Sequence, residues 1–409
     1  MSATRQPVLA RSEVVSSPGA IIRTLLAPVD PHDFVRTHWQ RAPHLVLGDR
    51  PADHFDPIFT LAELDHLLAD VTIPSTNIDM GANAVGVSPG DYKARSYADP
   101  TSVLRLFEAG NTIILRGMHL FSGSLRRLCL ATSAFFRCPT QANVYITPAG
   151  QRSSYPHWDA HDIFVIQLSG RKTWTLYENE HAPPHPTFEF NPDLHPIGAE
   201  VGELELRPGD TAYVPRGLAH NPFALENSVH IALGVQCPTW YDIVDTALQG
   251  ALADLPLTRT SPPFLWRERG GVADGFDEQL EAVLRAIFDR GRADHAAIHL
   301  ADAVASSAVS SQMEGRFQQA VGGGTSITDD TVLCLPDVLP SHTSHAGPGG
   351  ATRVLVEGLE FAVEDGEARM ADHLIVHGEV AVHDLPHDDP AARIAFARAL
   401  HQSGCAQPR

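Results

Sequence analysis

Histidine and aspartate two residues apart bring an imidazole and a carboxylate to one face of an extended chain, because strand side chains i and i+2 point the same way. Three such pairs occur: His54/Asp56, His157/Asp159 and His387/Asp389. The middle pair lies in PHWDAHDIFVIQL, ahead of a strand-like apolar run. His220 follows 63 positions after His157, at the end of TAYVPRGLAH and behind the turn PGD. Two imidazoles and one carboxylate make the facial triad of non-haem Fe(II) sites, which leaves three octahedral positions open for a chelating co-substrate and dioxygen. With 22 histidines in the chain, the pair spacing alone is a weak signal. His54 stands before Pro57 at a helix entrance and His387 in the loop PHDDP, so neither has a strand context or a later partner. The expected metal ligands are His157, Asp159 and His220.

Of the 30 basic residues only Lys93 and Lys172 are lysine. Such an arginine bias in an Ala-, Gly- and Pro-rich chain points to a GC-rich, bacterial source. Lys172 comes 13 residues after Asp159, past the turn SGR, on the next strand-like run, KTWTLY. A barrel that holds a metal-chelating dicarboxylate such as 2-oxoglutarate needs a cation for the distal carboxylate, since burying that charge unpaired is costly. Lys172 suits the role. The plain alternative is a solvated residue at a hairpin end, with neighbouring Arg171 as the other candidate cation.

The elements that must position these groups read as follows. Residues 1–20 look like a loose tail. Helices are expected over DPHDFVRTHWQRAP, opened by Asp30 and closed by the proline, over TLAELDHLLADV with a Thr60/Glu63 capping box, over DPTSVLRLFEAG, and around Ser124 to Phe136. NTIILRG reads as a strand. From residue 141 the runs QANVYIT, DIFVIQL, KTWTLY, GELELR, TAYVPRG and VHIALGVQ alternate with the turns PAG, SGR, PGD and PRG. Six short strands so spaced predict an antiparallel sandwich or barrel, and the PGD-led strand suits a jelly roll. After about residue 240 helices return, including FDEQLEAVLRAIFDR at 276–290 and a long Ala/Ser-rich segment to Val321. Glycines 322–324 read as a hinge. Beyond them TRVLVEG, EFAV and HLIVHGEVAVHDLP read as strands before a final helix, AARIAFARALHQ.

Length and balance narrow the function. A chain of 409 residues holds two or three domains. The net charge of −19 argues against a general nucleic-acid binder. The last module, 325–409, carries five arginines against thirteen acidic residues, a net of −8, so direct DNA binding is not expected. Five scattered cysteines without CxxC spacing fit reduced thiols better than a disulfide framework. No signal-like h-region and no run of about 18 apolar residues is seen, so a cytoplasmic protein without a membrane span is expected.

On the residues NVYITPAG, PHWDAHDIFVIQLSGRKTW and LRPGDTAYVPRGLAH, the chain resembles the JmjC/cupin-type ribosomal oxygenases, which are Fe(II)- and 2-oxoglutarate-dependent protein hydroxylases. The resemblance is dense over about 141–236 and looser across the N-terminal helices. It implies an α+β fold with a double-stranded β-helix (jelly-roll/cupin) JmjC core. A tail at 1–20, an oxygenase domain at 21–240, a helical dimerisation segment at 241–321 and a winged-helix-like module at 325–409 would follow. By position, the iron ligands fall on His157, Asp159 and His220, and the 2-oxoglutarate carboxylate partner on Lys172. Asn143 and Tyr145 match residues near the co-substrate, and His230 matches a second-shell histidine. Four positions beyond His230 relatives commonly carry a hydroxyl side chain where this chain has Gly234, so one co-substrate contact is expected to be missing. The stretch from His220 to His230 is also shorter than in the family.

The expected activity is a dioxygenase that couples 2-oxoglutarate decarboxylation to hydroxylation of an unactivated C–H. The Asp159 carboxylate fills the position a halogenase would leave for chloride. The expected substrate is a side chain of a protein or peptide, with histidine or arginine of a ribosomal protein first, and an acidic enzyme would attract such a basic partner. The alternatives are a tailoring hydroxylase of a natural-product peptide or small molecule, and a non-catalytic metal-binding cupin acting as a dimeric interaction module. A zinc hydrolase is disfavoured because no dedicated general base stands near the triad.

Overall fold

The computed structural model describes residues 18–81, 86–94, 96–178, 183–184, 190–261, 267–268, 271–272, 275–290, 321, 326–335, 341–343, 352–356, 359–363 and 365–408. These divide into two compact units, one running to Cys237 and the other built mostly from the chain beyond it.

The first unit opens with helices. α1 (Pro18–Leu26) takes in residues that the sequence suggested were tail, and its Ile21, Ile22, Leu25 and Leu26 are buried. α2 (Pro31–Thr37) is capped by Asp30, whose carboxylate accepts from the backbone N–H of His32 and Asp33, and it stops well short of Pro43. After β1 (His44–Val46), α3 (Leu61–Asp70) carries the expected capping box between Thr60 and Glu63. β2 (Ile78–Met80), α4 (Pro100–Glu108), β3 (Ile113–Leu115) and α5 (Gly123–Phe136) follow.

Seven strands then build the rest of the unit: β4 (Thr140–Thr147), β5 (Asp162–Ser169), β6 (Lys172–Tyr177), β7 (Glu200–Leu206), β8 (Thr211–Val214), β9 (His220–Ala224) and β10 (Ser228–Val235). They form an antiparallel seven-stranded sheet, β1-β8-β5-β10-β4-β3-β2, and a three-stranded sheet, β9-β6-β7, the layout of a jelly roll. Alternation splits the residues between two cores. Val144, Phe164, Ile166, Ile231, Leu233 and Val235 pack with the helices, while Ile163, Val165, Trp174, Leu176, Leu204 and Leu206 form a second cluster inside the barrel. β9 is the strand that the sequence hid. Pro222 breaks its β-like pattern and is tolerated because β9 is an edge strand.

Cysteines 138 and 237 are joined in a disulfide, against the expectation of reduced thiols, with Cα atoms 4.9 Å apart. The cause is register. β4 and β10 pair Thr140 with Val235, and the Gln236 N–H donates to Pro139 O, so the next residues out face each other. No spacing along the sequence could show that pairing.

The second unit holds α6 (Trp240–Asp254) and α7 (Phe276–Arg290). β11 (Val332–Cys334) leads into a meander of β12 (Ser341–Thr343), β13 (Thr352–Val356) and β14 (Leu359–Val363), then α8 (Asp365–His377), β15 (Glu379–Ala381), α9 (Pro390–Ser403) and β16 (Gln407–Pro408). HLIVH, expected as strand, is the end of α8. Its Ile375 and Val376 favour extended chain locally, but Met370, Ala371 and Leu374 bury one helical face and override them. The Ala/Ser-rich segment before Val321 and glycines 322–324 lie outside the described residues.

Candidate metal centre

His157 and Asp159 lie in the connection between β4 and β5, and not on a regular strand as the i, i+2 argument supposed. A single bridge does the positioning instead. The His157 N–H donates to His220 O at 3.1 Å and the His220 N–H to His157 O at 2.8 Å, while the Gly217 N–H donates to Asp159 O at 2.9 Å. Two segments distant in sequence are thus locked by backbone bonds beside the side chains in question.

The structure brings the three side chains together. One ligand atom from each of His157, Asp159 and His220 lies within 4.8 Å of the others. His157 Nε2 is 3.8 Å and His220 Nε2 3.4 Å from Asp159 Oδ2. Cis ligands on bonds of about 2.1 Å would stand about 3 Å apart, so a small contraction closes the set on one ion. Each imidazole is oriented by its other nitrogen: His157 Nδ1 meets Tyr155 O at 2.8 Å and His220 Nδ1 meets Leu218 O at 3.0 Å. A carbonyl accepts only from N–H, so each Nε2 keeps its lone pair for a metal. Burial and the neighbouring His157 hold His220 down at about 4, hence neutral at neutral pH. Burial alone would raise Asp159, but His157, His220, His161 and Arg116 outweigh it and hold the carboxyl below its usual range. The other two pairs do different work: His54 Nε2 meets Thr24 O, and His387 Nδ1 accepts from the Asp389 N–H.

Lys172 opens β6, directly after the turn at Gly170. The turn requires glycine, since φ is +66° and a Cβ would lie 2.0 Å from Asn227 O. The lysine side chain is fully buried. Its Nζ donates to Thr147 Oγ1 at 3.0 Å, and no carboxylate among the described residues pairs with it. Burial pushes the amine down to about 7. Arg171, the other candidate, is engaged at the surface by Glu226 and Glu205.

Tyr145 and His230 face each other across β4 and β10, ring centroids 4.9 Å apart and nearly parallel. Burial, then the charge of Asp159, raises the Tyr145 phenol to about 12. His230 Nδ1 is buried without a partner among the described residues, and burial with nearby Lys172 holds the ring neutral. Asn143 is buried on the same face as Tyr145, but its Oδ1 accepts the Gly117 N–H at 2.9 Å, so only the amide NH2 remains for a bound molecule. Trp174, which sequence reading missed, touches both His220 and His230 with centroids at 5.3 and 5.7 Å. At Gly234, where the side chain of a co-substrate contact is expected to be missing, a Cβ would stand 2.7 Å from the His161 ring.

The JmjC domain family matches residues 120–243. Ribosomal oxygenase 1 of Gallus gallus is 30% identical over 243 residues, which are 57% of this chain and 39% of that protein. The bifunctional lysine-specific demethylase and histidyl-hydroxylase NO66 of Aedes aegypti is 23% identical over 424 residues, covering 93% of this chain and 66% of that protein. The chain thus spans less than two thirds of the length of these relatives. The structure of YcfD, a ribosomal oxygenase from Escherichia coli, in complex with cobalt and 2-oxoglutarate, matches with a TM-score of 0.54 at 16% identity, over 93% of this chain and 99% of that one. At that identity the likeness speaks for the fold. The matched residues include His157, Asp159, Lys172 and His220, so the part of the chain that holds the triad is similar to the JmjC domain.

Proposed function

We propose that the protein is an Fe(II)- and 2-oxoglutarate-dependent dioxygenase that hydroxylates an unactivated C–H, with His157, Asp159 and His220 as the iron ligands. The observation that carries this is the pairing of that triad with Lys172, a buried amine one strand away that has no counter-charge among the described residues. Two imidazoles and one carboxylate suit ferrous iron and leave open positions, whereas a closed structural zinc site would use four ligands. A dicarboxylate that chelates the metal at one end would supply the anion Lys172 lacks. When bound, the iron and 2-oxoglutarate supply the activation of dioxygen.

The chain's own residues hold and shield. The bonds to Tyr155 O and Leu218 O fix the imidazole faces, and Lys172 with Thr147 receives the distal carboxylate. Tyr145, His230 and the buried Trp174 wall the space between, keeping water from it. Asn143 offers its NH2 to the same space.

For substrate, a side chain of a protein or peptide is proposed, a ribosomal-protein histidine or arginine first, supported by the relatives named ribosomal oxygenase and histidyl-hydroxylase and by the charge of −19. The domain division given above is proposed with it, including homodimerisation through 241–321 and a winged-helix-like 325–409 that does not bind DNA. Support for the dimer comes from exposed apolar residues at four-residue spacing, Val244, Leu248 and Leu252 on α6 and Leu280, Leu284 and Phe288 on α7. No helix among the described residues is long and apolar enough to cross a membrane.

The test is mass spectrometry of bacterial ribosomal proteins and of peptides after incubation with enzyme, Fe(II), 2-oxoglutarate and oxygen. A gain of one oxygen atom on a single residue supports the reading. Hydroxylation of small natural-product peptides alone moves it to a tailoring enzyme. Full iron occupancy without succinate formation would leave a non-catalytic binding module.

A further inference from the structure

Gly234 lies inside β10, paired with Gln141 on β4 and Ile163 on β5. A glycine there gives up packing and order, and commonly marks the close approach of another group. That group is the imidazole of His161. A Cβ at 234 would stand 2.7 Å from His161 Cδ2 and 2.8 Å from its Nε2. The two residues are therefore one unit: the ring can lie against the barrel wall only because position 234 has no side chain. The ring is partly exposed and takes no hydrogen bond among the described residues.

Its height in the barrel indicates what it meets. On β4 and β10 the inward positions run from Thr147/Ser228, beside Lys172, through Tyr145/His230 and Asn143/Ala232 to Gln141/Gly234. Trp174 ties the His230 level to His220, so the triad lies between the two ends. Six residues separate Ser228 from Gly234, roughly 20 Å of strand. The co-substrate would extend from the metal toward Lys172, which puts His161 on the opposite side of the metal.

We propose that His161 is a specificity-determining residue that meets the incoming substrate, hydrogen-bonding a polar side chain borne on a peptide and narrowing the wall that Gly234 leaves open. This rests on the iron and 2-oxoglutarate reading above. It assigns to position 161 a contact on the substrate side, and makes Gly234 its structural condition.

The experiment uses the full chain and its H161A, H161Q, G234S and H161A/G234S variants. Mn(II) and 2-oxoglutarate binding are followed by calorimetry. Succinate release is measured with capped synthetic pentapeptide pools, each fixed at one central residue. The wild type should be stimulated most by pools with a polar centre. H161A should lose about tenfold of that stimulation, the size of one lost hydrogen bond, through KM more than kcat. Its affinity for 2-oxoglutarate, which extends toward Lys172, should stay within about twofold, and H161Q, which keeps a hydrogen-bonding group, should recover part of the preference. G234S should displace the ring and shift the peptide ranking toward that of H161A, and H161A/G234S should rank as H161A does. An unchanged ranking in H161A, or in G234S, would overturn the proposal. So would a wild type that binds Mn(II) and 2-oxoglutarate but responds to no pool, with the oxygenase reading left standing. A wild type that binds neither probe would bring down both.

Discussion

Lys172 Nζ and Thr147 Oγ1 stand 3.0 Å apart in the buried interior of the barrel, and that single neutral hydroxyl is the lysine's only hydrogen-bond acceptor among the described residues. An ammonium group with three donors and no counter-charge is unfavourable when fully buried. The site therefore carries a cost in the empty protein that an anion relieves.

K172A should weaken 2-oxoglutarate binding by about a hundredfold or more, because the distal carboxylate would be buried unpaired. K172M should bind it equally poorly yet unfold at a higher temperature than the empty wild type. Chemical denaturation alongside calorimetry separates the two effects, and a K172M that is less stable would contradict the burial argument.

The same lysine sets a pH dependence. Burial lowers it to about 7 in the folded empty protein, while the unfolded chain keeps the ordinary lysine value. Between those values the unfolded state binds more protons, so stability contributed by this group rises as pH increases from about 7 and is missing below it. Binding of 2-oxoglutarate needs the charged amine, so affinity should fall about tenfold per pH unit above 7, with uptake of one proton per ligand. Calorimetry in buffers of differing ionisation enthalpy reads that proton directly.

Sequence and structure agree unevenly, for physical reasons. The meeting of His157, Asp159 and His220 and the burial of Lys172 were legible because chemistry-bearing residue types stood beside turn signals that punctuate a jelly roll. β9 was not, since Pro222 is permitted by its place at a sheet edge, which one strand's sequence does not reveal. The 138–237 disulfide and the meeting of His161 with Gly234 both depend on which strands are neighbours. HLIVH misled because its local propensity lost to the burial of Met370 and Leu374 on one helical face.

The Cys138–Cys237 link closes a separation of 99 residues, for which loop entropy predicts about 4.7 kcal/mol of stability. The C138S/C237S variant, unfolded in denaturant, should lose a measurable part of this, and reductant should have no further effect on it. Equal stability of wild type and variant without reductant would show that the link contributes nothing.

If α6 and α7 form the dimer interface, L248E together with L284E should yield a monomer by light scattering while the near-ultraviolet spectrum of the core stays unchanged. A dimer that persists would place the interface elsewhere.

The proposed centre is one ferrous ion that, held by His157, Asp159 and His220, shares 2-oxoglutarate with Lys172. Anaerobic titration of the Fe(II) protein with 2-oxoglutarate, followed by its visible charge-transfer absorption, tests this most directly. One saturating equivalent is expected in the wild type, no signal in D159A or H220A, and a far weaker approach to saturation in K172A. Saturation unaffected by loss of Asp159 or His220 would contradict it.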